Sequence, residues 1–219
     1  MKLSKRLRAI INEIECENII DIGTDHAYVP IMAILKQKAK SAIASDVRRG
    51  PLDIAQKNII EYKLENKIQT KISNGFDNII PRENSTVIIS GMGGIIICEI
   101  IERAKNILPS IKQFVLQPQN NIYYVRKALH ANGYAIKKET ILYQNGFYNI
   151  INAHRGKDVF YSKKDYAAGK LLLENKDPLL KKFLAYKIEK LAKIKSFNPQ
   201  ANMLYKLYCE SLLCFQEQK

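Results

Sequence analysis

Two short glycine-containing stretches hold most of the residues that could bind a ligand or carry out chemistry. DIGTDHAY begins at Asp21, and GMGG begins at Gly91. A D-x-G sequence supplies a carboxylate and a tight turn, and the glycines of GMGG let the backbone approach a ligand closely because glycine has no Cβ atom. A dinucleotide site usually has G-x-G-x-x-G at the first position, with its glycines around the pyrophosphate. After Gly23 the further glycines of that pattern are absent. Their absence disfavours a nicotinamide cofactor, but it does not exclude a cofactor without phosphate.

Further polar residues stand where a nucleoside site would need them. Asp46 ends the second predicted strand, 25 positions after Asp21, where a carboxylate can accept hydrogen bonds from both ribose hydroxyls. Asn74 and Gly75 follow the third predicted strand, where a side-chain amide and the backbone can contact the edge of an adenine. Each feature alone is also common in turns that bind nothing. Four such features after successive strands predict one shared site.

S-adenosylmethionine fits this pattern because it carries an adenosine and an amino-acid end but no phosphate. The residues predicted to bind it are Asp21, Gly23, Asp25, His26, Asp46, Val47, Asn74, Gly75, Gly91, Met92 and Gly93. Asp25 and His26 are also the candidate catalytic residues, either to orient an acceptor or to accept a proton, although a histidine near a helix start is often structural. No metal site is predicted, since the four cysteines show no C-x-x-C spacing and lie near no histidine cluster.

The net charge of +14 makes an anionic partner such as RNA plausible. Lysine, isoleucine and asparagine are all abundant, as in proteins from A+T-rich genomes, so charge alone leaves the partner open. The candidate phosphate contacts are Lys5, Arg6, Arg48, Arg49 and Arg126. With no run of eighteen apolar residues and no signal segment, we predict a cytoplasmic protein without a membrane partner or an obligatory protein partner, of undetermined oligomeric state.

Alternating strands and helices must position these residues. Apolar and β-branched runs predict seven strands, at 18–22, 41–45, 68–73, 86–91, 113–118, 135–142 and 147–154. Helical spacing predicts helices at 3–14, 29–38, 51–64, 93–108 and 121–134. Such alternation predicts an α/β fold with a parallel sheet covered on both faces, and Asn-Gly in YQNGF is typical of a hairpin joining the last two strands. A parallel sheet that ends in a reversed strand is the Rossmann-like layout of S-adenosylmethionine-dependent methyltransferases.

From about residue 160 the predicted strands disappear. Asp177 and Pro178 are typical of an N-cap and a first helical residue, and the Asn-Pro pair of SFNPQ separates a second helix from the first. We therefore predict a methyltransferase domain at 1–159 and a small α-helical, coiled-coil-like hairpin domain at 160–219. The hairpin could be a structural flap packed on the sheet, or an RNA-facing arm, since its polar face is mostly lysine.

The motifs KLSKRL, DIGTDHAYVP, GMGG and LQPQ, together with a late tyrosine-containing strand, resemble the bacterial tRNA adenine-N1 methyltransferases that act on adenine 22. The resemblance runs in order from residue 2 to about 155. It implies a Rossmann-like domain followed by a helical domain, with S-adenosylmethionine as cofactor and tRNA as partner. The chain departs from the family at three positions: Asn74 replaces a usual Asp, Gln119 a frequent Asn, and Asn149 a common Glu.

The reaction implied by this resemblance needs little from the protein beyond alignment. Adenine N1 already carries a lone pair, so attack on a sulfonium methyl group requires no prior removal of a proton. A base-paired N1 must first be exposed, which requires the base to be flipped out. Three alternatives remain at this stage: a methyltransferase of small molecules, an RNA-binding protein with a non-catalytic cofactor site, and, least favoured, a nicotinamide dehydrogenase.

Overall fold

Seven strands make up the sheet of this protein, whose structure, a computed structural model, describes residues 3–216. The strands are β1 (Asn18–Ile22), β2 (Ser41–Asp46), β3 (Ile68–Ile72), β4 (Ser85–Met92), β5 (Ile111–Pro118), β6 (Tyr134–Tyr143) and β7 (Phe147–Arg155). They form a single sheet in the order β3-β2-β1-β4-β5-β7-β6. The predicted seven-stranded Rossmann-like sheet is confirmed, and each predicted strand begins and ends within two residues of an observed one.

Among residues 3–216, one α-helix precedes the first strand in the chain, four lie between strands, and four come after the last strand. They are α1 (Lys5–Asn12), α2 (Tyr28–Leu35), α3 (Arg49–Glu61), α4 (Gly94–Arg103), α5 (Ile122–Ala131), α6 (Lys163–Ala168), α7 (Lys170–Glu174), α8 (Pro178–Ala192) and α9 (Pro199–Leu213). The helix predicted at 93–108 ends at Arg103, and a 3-10 turn follows at Leu108–Ser110; Pro109, which has no backbone N–H, lies in the first turn of this short helix. The short helices α6 and α7 were not predicted, although Ser162 and Asp165 form a capping box at the start of α6.

Parallel pairing brings the carboxyl ends of five strands, β1 to β5, to one edge of the sheet. β1 lies between β2 and β4, and Asp21 is in register with Ala44 on one side and with Ile88 on the other. The last two strands are antiparallel, and the hairpin between them turns at Asn145 and Gly146, both with positive φ. The loops that follow β1, β2, β3 and β4 therefore meet at the same edge.

The core lies on both faces of the sheet, as expected for parallel strands. In β4, Val87 and Ile89 are buried in the cluster that α4 and α5 cover, whereas Ile88 is buried in the cluster that α1, α2 and α3 cover. The nearly continuous apolar sequence of β4 follows from this burial on both sides.

The C-terminal helices share the first of these buried clusters. Leu180 and Phe183 of α8 and Tyr208 of α9 belong to it, and the Phe147 ring of β7 lies 5.6 Å from the Phe183 ring. The Asp177 side chain accepts hydrogen bonds from two backbone N–H groups at the start of α8, as predicted for an N-cap. A domain division at residue 160 remains a prediction, and residues 1–2 and 217–219 of the two predicted domains lie outside the described residues.

Arg126 ties α5 and β6 to the C-terminal helices. Its side chain is only 1% exposed, and its Nε lies 2.7 Å from Oε1 of the equally buried Glu139. Its Nη1 donates hydrogen bonds to the carbonyl oxygens of Tyr166 (2.8 Å) and Ala167 (3.0 Å). The assignment of Arg126 as a phosphate contact is therefore wrong. Its spacing from Ile122 and Leu129, which are buried on the same helix face, could have indicated this.

We predict that Arg126→Ala destabilises the protein by about 3–5 kcal/mol, because it leaves Glu139 as an uncompensated buried charge. Urea denaturation of the variant and the parent chain measures the difference. Lys40→Ala is the matched control: it removes one partner of the exposed Lys40–Glu17 pair and should cost less than about 1 kcal/mol. Equal losses in the two variants would contradict the structural role of Arg126.

Candidate active site

A cavity of about 770 Å³ opens at the carboxyl edge of the parallel strands. All the predicted cofactor residues except Gly93 line it, and Gly93 stands next to it as the N-cap of α4. Two of the predicted phosphate contacts, Arg6 and Arg48, also line the cavity, whereas Lys5 and Arg49 do not. The lining further includes Thr24, Tyr28, Ser73 and Gln119, which were not predicted as site residues.

The turn after β1 is held against the end of β2 by backbone hydrogen bonds. The N–H groups of Gly23 and Thr24 both donate to the carbonyl oxygen of Ser45, each at 2.8 Å. Gly23 has a φ of +74°, and a Cβ atom there would clash with the terminal methyl group Cε of Met92. The glycine of D-x-G is therefore required by its backbone conformation, whereas the Met92 methyl group, at the end of a flexible side chain, can move aside.

The segment after this turn is conformationally strained. Asp25 and Ala27 have φ values of +55° and +58°, which residues other than glycine adopt only at an energetic cost. This backbone presents His26 and Tyr28 side by side, with ring centroids 5.4 Å apart and ring planes inclined by 16°. His26 Nε2 lies 3.3 Å from Asp25 Oδ2, and the buried Nδ1 has no hydrogen-bond partner among residues 3–216. The strain holds an aromatic pair and a carboxylate at the cavity wall.

Two buried carboxyl groups give the cavity floor its electrostatic character. Asp21 is 3% exposed and accepts a hydrogen bond from the Thr24 hydroxyl at 2.7 Å. Burial is the main cause that raises the pKa of Asp21 to about 7; the hydrogen bond from Thr24 opposes this shift, and the nearby charge of Asp46 adds to it. Asp46 accepts a hydrogen bond from the Arg48 backbone N–H at 3.0 Å. Such a floor favours a ligand that carries positive charge.

The loop after β3 forms the wall on the α4 side. Gly75 has a φ of +63°, and its carbonyl oxygen accepts a hydrogen bond from the Ser73 hydroxyl at 2.9 Å. The carbonyl oxygen of Asn74 accepts one from Arg103 Nη2 at 3.1 Å. These bonds fix the backbone of the two residues that were predicted to contact an adenine edge.

The opposite wall comes from α1, β4 and β5. Gly91 has a φ of +77°, and a Cβ atom there would lie 3.2 Å from Arg6 Nη1. Arg6 Nη1 donates to Gln117 Oε1 at 2.9 Å, and the Arg6 guanidinium lies 5.5 Å from the centre of the Tyr148 ring. Gln117 and Tyr148 were not predicted as site residues, although both lie in motifs that carry the family resemblance. Arg6 was expected at an RNA surface, but it forms part of the cavity wall.

Three predicted phosphate contacts remain exposed. Lys5 is exposed beside Arg6 at the start of α1, where its backbone N–H donates to Gln144 Oε1 at 3.1 Å. The Arg48 and Arg49 side chains are 72% and 80% exposed at the start of α3, near Asp46 and Asp53 respectively. All three side chains are therefore accessible to a phosphate group that approaches from solvent.

The fold and the site together define a class of protein. An open α/β sheet with a reversed last strand, and a cavity at the carboxyl ends of β1 to β4, is the architecture of the Rossmann-like methyltransferases. The family model described as TrmK, tRNA (adenine(22)-N(1))-methyltransferase, matches residues 19–208. The tRNA (adenine(22)-N(1))-methyltransferase of Bacillus subtilis is 34% identical over 175 residues, which cover 78% of this chain and 74% of that protein. The chain therefore belongs to the TrmK family, and the resemblance inferred from the motifs is confirmed.

Solved structures that are similar to this chain agree with the family assignment. A Streptococcus pneumoniae protein, crystallised in complex with S-adenosyl-L-methionine, is 30% identical with a TM-score of 0.85, and the match covers 96% of this chain and all of that one. The M. capricolum TrmK, crystallised with S-adenosyl-homocysteine, is 28% identical with a TM-score of 0.82, and the match covers 99% of this chain and 97% of that one.

We predict that Gly23→Ala lowers the affinity for S-adenosylhomocysteine at least tenfold. A side chain at this positive φ costs about 1–3 kcal/mol and forces the Met92 methyl group, which belongs to a residue that lines the cavity, to move. Isothermal titration calorimetry measures the affinity. Gly50→Ala is the control, because a Cβ atom at Gly50 would meet nothing within 4 Å. An unchanged affinity in Gly23→Ala would show that this turn does not border the ligand.

We predict that Asp21→Asn stabilises the ligand-free protein at pH 8. Because folding raises the pKa of Asp21 from 3.8 to about 7, the carboxyl group destabilises the folded state increasingly as pH rises from about 4 through 7. The variant should therefore melt above the parent chain at pH 8, and the difference should vanish near pH 4. Thermal melts of both proteins across this range measure it. A variant that melts below the parent at pH 8 would contradict the prediction.

Proposed function

We propose that this protein transfers the methyl group of S-adenosylmethionine to N1 of adenine 22 in tRNA. The observation that carries the proposal is the single cavity that joins Gly23, Asp46, Asn74 and Gly91 at the carboxyl edge of the sheet. Membership of the TrmK family supports the same reaction, the same base and the same substrate.

The lining residues fit S-adenosylmethionine in both shape and charge. The Asp46 carboxylate accepts hydrogen bonds from the ribose hydroxyls, and Asn74 and Gly75 contact the adenine. Asp21 and Gly23 border the amino-acid end, where the acidic floor suits an ammonium and a sulfonium group. The bound cofactor supplies an electrophilic methyl group.

The protein's part in the reaction is to hold the target adenine in line with that methyl group. The N1 lone pair forms the new N–C bond while the C–S bond breaks and its electrons remain on sulfur, so the adenine ring takes up the positive charge. Tyr28, whose ring lies nearly parallel to that of His26, offers a stacking face for the flipped base. Asp25 and His26 orient the base, and the Asp25 carboxylate stabilises the developing charge.

The tRNA backbone is bound by the exposed cations around the cavity. Lys5, Arg48 and Arg49 contact phosphates near the target nucleotide. The helices of residues 160–219 form the second domain, and their exposed lysines extend the basic surface beyond the sheet. No helix among residues 3–216 is long and apolar enough to cross a membrane.

We predict that the protein converts adenine 22 of an unmodified tRNA transcript to 1-methyladenosine, and that Asp46→Ala reduces the rate at least a hundredfold. Asp46 is 6% exposed at the end of β2, so its loss removes the ribose contact from the cavity. Nucleoside mass spectrometry measures the product, and a transcript with guanine at position 22 identifies the site.

Asp53→Ala is the matched control for this experiment. Asp53 lies on α3 close to Asp46 in sequence, but its side chain is 61% exposed, and among residues 3–216 it pairs with Arg49 alone. The control should retain the parent rate. Equal activity of Asp46→Ala and the parent chain would contradict the proposed cofactor site, and methylation of another nucleotide would contradict the proposed substrate.

A further inference from the structure

Arg6 is held in one place by its surroundings. Its helix begins at the Ser4 N-cap, whose hydroxyl accepts a hydrogen bond from the Leu7 N–H at 3.2 Å. The guanidinium donates to Gln117, which is 1% exposed, and it lies over the Tyr148 ring. A hydrogen bond to a buried side chain and a contact with an aromatic face together restrict a guanidinium that would otherwise be mobile. Arg6 is therefore preorganised to bind a ligand.

This guanidinium also lacks an anionic partner. Within residues 3–216, no Asp or Glu oxygen lies within 4 Å of Arg6, whereas Arg48 and Arg126 each have a carboxylate neighbour at that distance. Arg6 is half-buried, so water compensates its charge only in part. A rigid, half-buried cation in a cavity wall is a site for an anionic group of a ligand.

The position of Arg6 along the sheet edge indicates which anionic group. The site residues follow the strand order, with Asn74 after β3, Asp46 at the end of β2, Gly23 after β1 and Gly91 at the end of β4. Three strand spacings separate β3 from β4, about 14 Å in total. An extended adenosine joined through sulfur to an amino acid spans such a distance. Its carboxylate then reaches Gly91, where Arg6 Nη1 forms the wall.

We propose that Arg6 binds the α-carboxylate of the cofactor's amino-acid end, and not a tRNA phosphate. The inference rests on the proposed function, because it assumes that this cavity holds S-adenosylmethionine. Asp21 then faces the ammonium group and Arg6 faces the carboxylate, so each charge of the zwitterion meets the opposite charge.

Two ligands that differ only in the amino-acid end test this proposal. S-adenosylhomocysteine has the carboxylate, whereas 5′-methylthioadenosine has the same nucleoside and thioether without the amino acid. Arg6→Met should weaken S-adenosylhomocysteine about 10- to 100-fold, as expected for the loss of a charged hydrogen bond, and leave 5′-methylthioadenosine unchanged. Arg6→Lys should fall between Arg6→Met and the parent. Arg8→Met, which removes an exposed arginine from the same helix, should change neither affinity.

Each other outcome overturns the inference in a different way. Equal weakening of both ligands in Arg6→Met would mean that Arg6 only supports the cavity wall. Unchanged affinity for both ligands with a raised KM for tRNA would identify a phosphate contact. If the parent chain binds neither ligand, the proposed function itself fails, whatever the variants do.

Discussion

Parallel hydrogen bonding of β1 to both β2 and β4 is the constraint on which the site depends. Because the three strands run in the same direction and in register, the residues that follow them are brought to one edge without any direct bond between distant side chains. The hydrogen bonds from Gly23 and Thr24 to Ser45 continue this pairing beyond the end of β1. The turn after β1, which forms part of the cavity wall, is therefore held directly against the end of β2.

The charged residues that line the cavity suit a ligand with charges of both signs. The acidic floor at Asp21 and Asp46 faces one side of the cavity, and the half-buried guanidinium of Arg6 closes the other. Burial places the pKa of Asp21 near neutrality, so the ligand-free protein can hold a proton where a cation would otherwise bind.

A buried ion pair links the sheet to the C-terminal helices. Arg126 contacts Glu139 and the last carbonyl groups of α6, and Gly169 follows with a φ of +97° that leaves no space for a Cβ atom beside Arg126. These contacts fix the start of the basic helices that follow Gly169 against the sheet.

The sequence by itself determined the order of strands and helices along the chain, the Rossmann-like class and the family, and it proposed a set of cofactor residues of which all but Gly93 line one cavity. These features depend on local patterns: β-branched runs, glycines that need positive φ, and acids at strand ends. Only the tertiary structure decided what each arginine does, because the burial of a long side chain depends on the elements packed around it. Arg126 and Arg6 look alike in sequence, yet the first is enclosed by β6 and α6 and the second by β5 and β7. Gln117 was missed for the same reason, since its hydrogen bond with Arg6 joins elements that are distant in the chain.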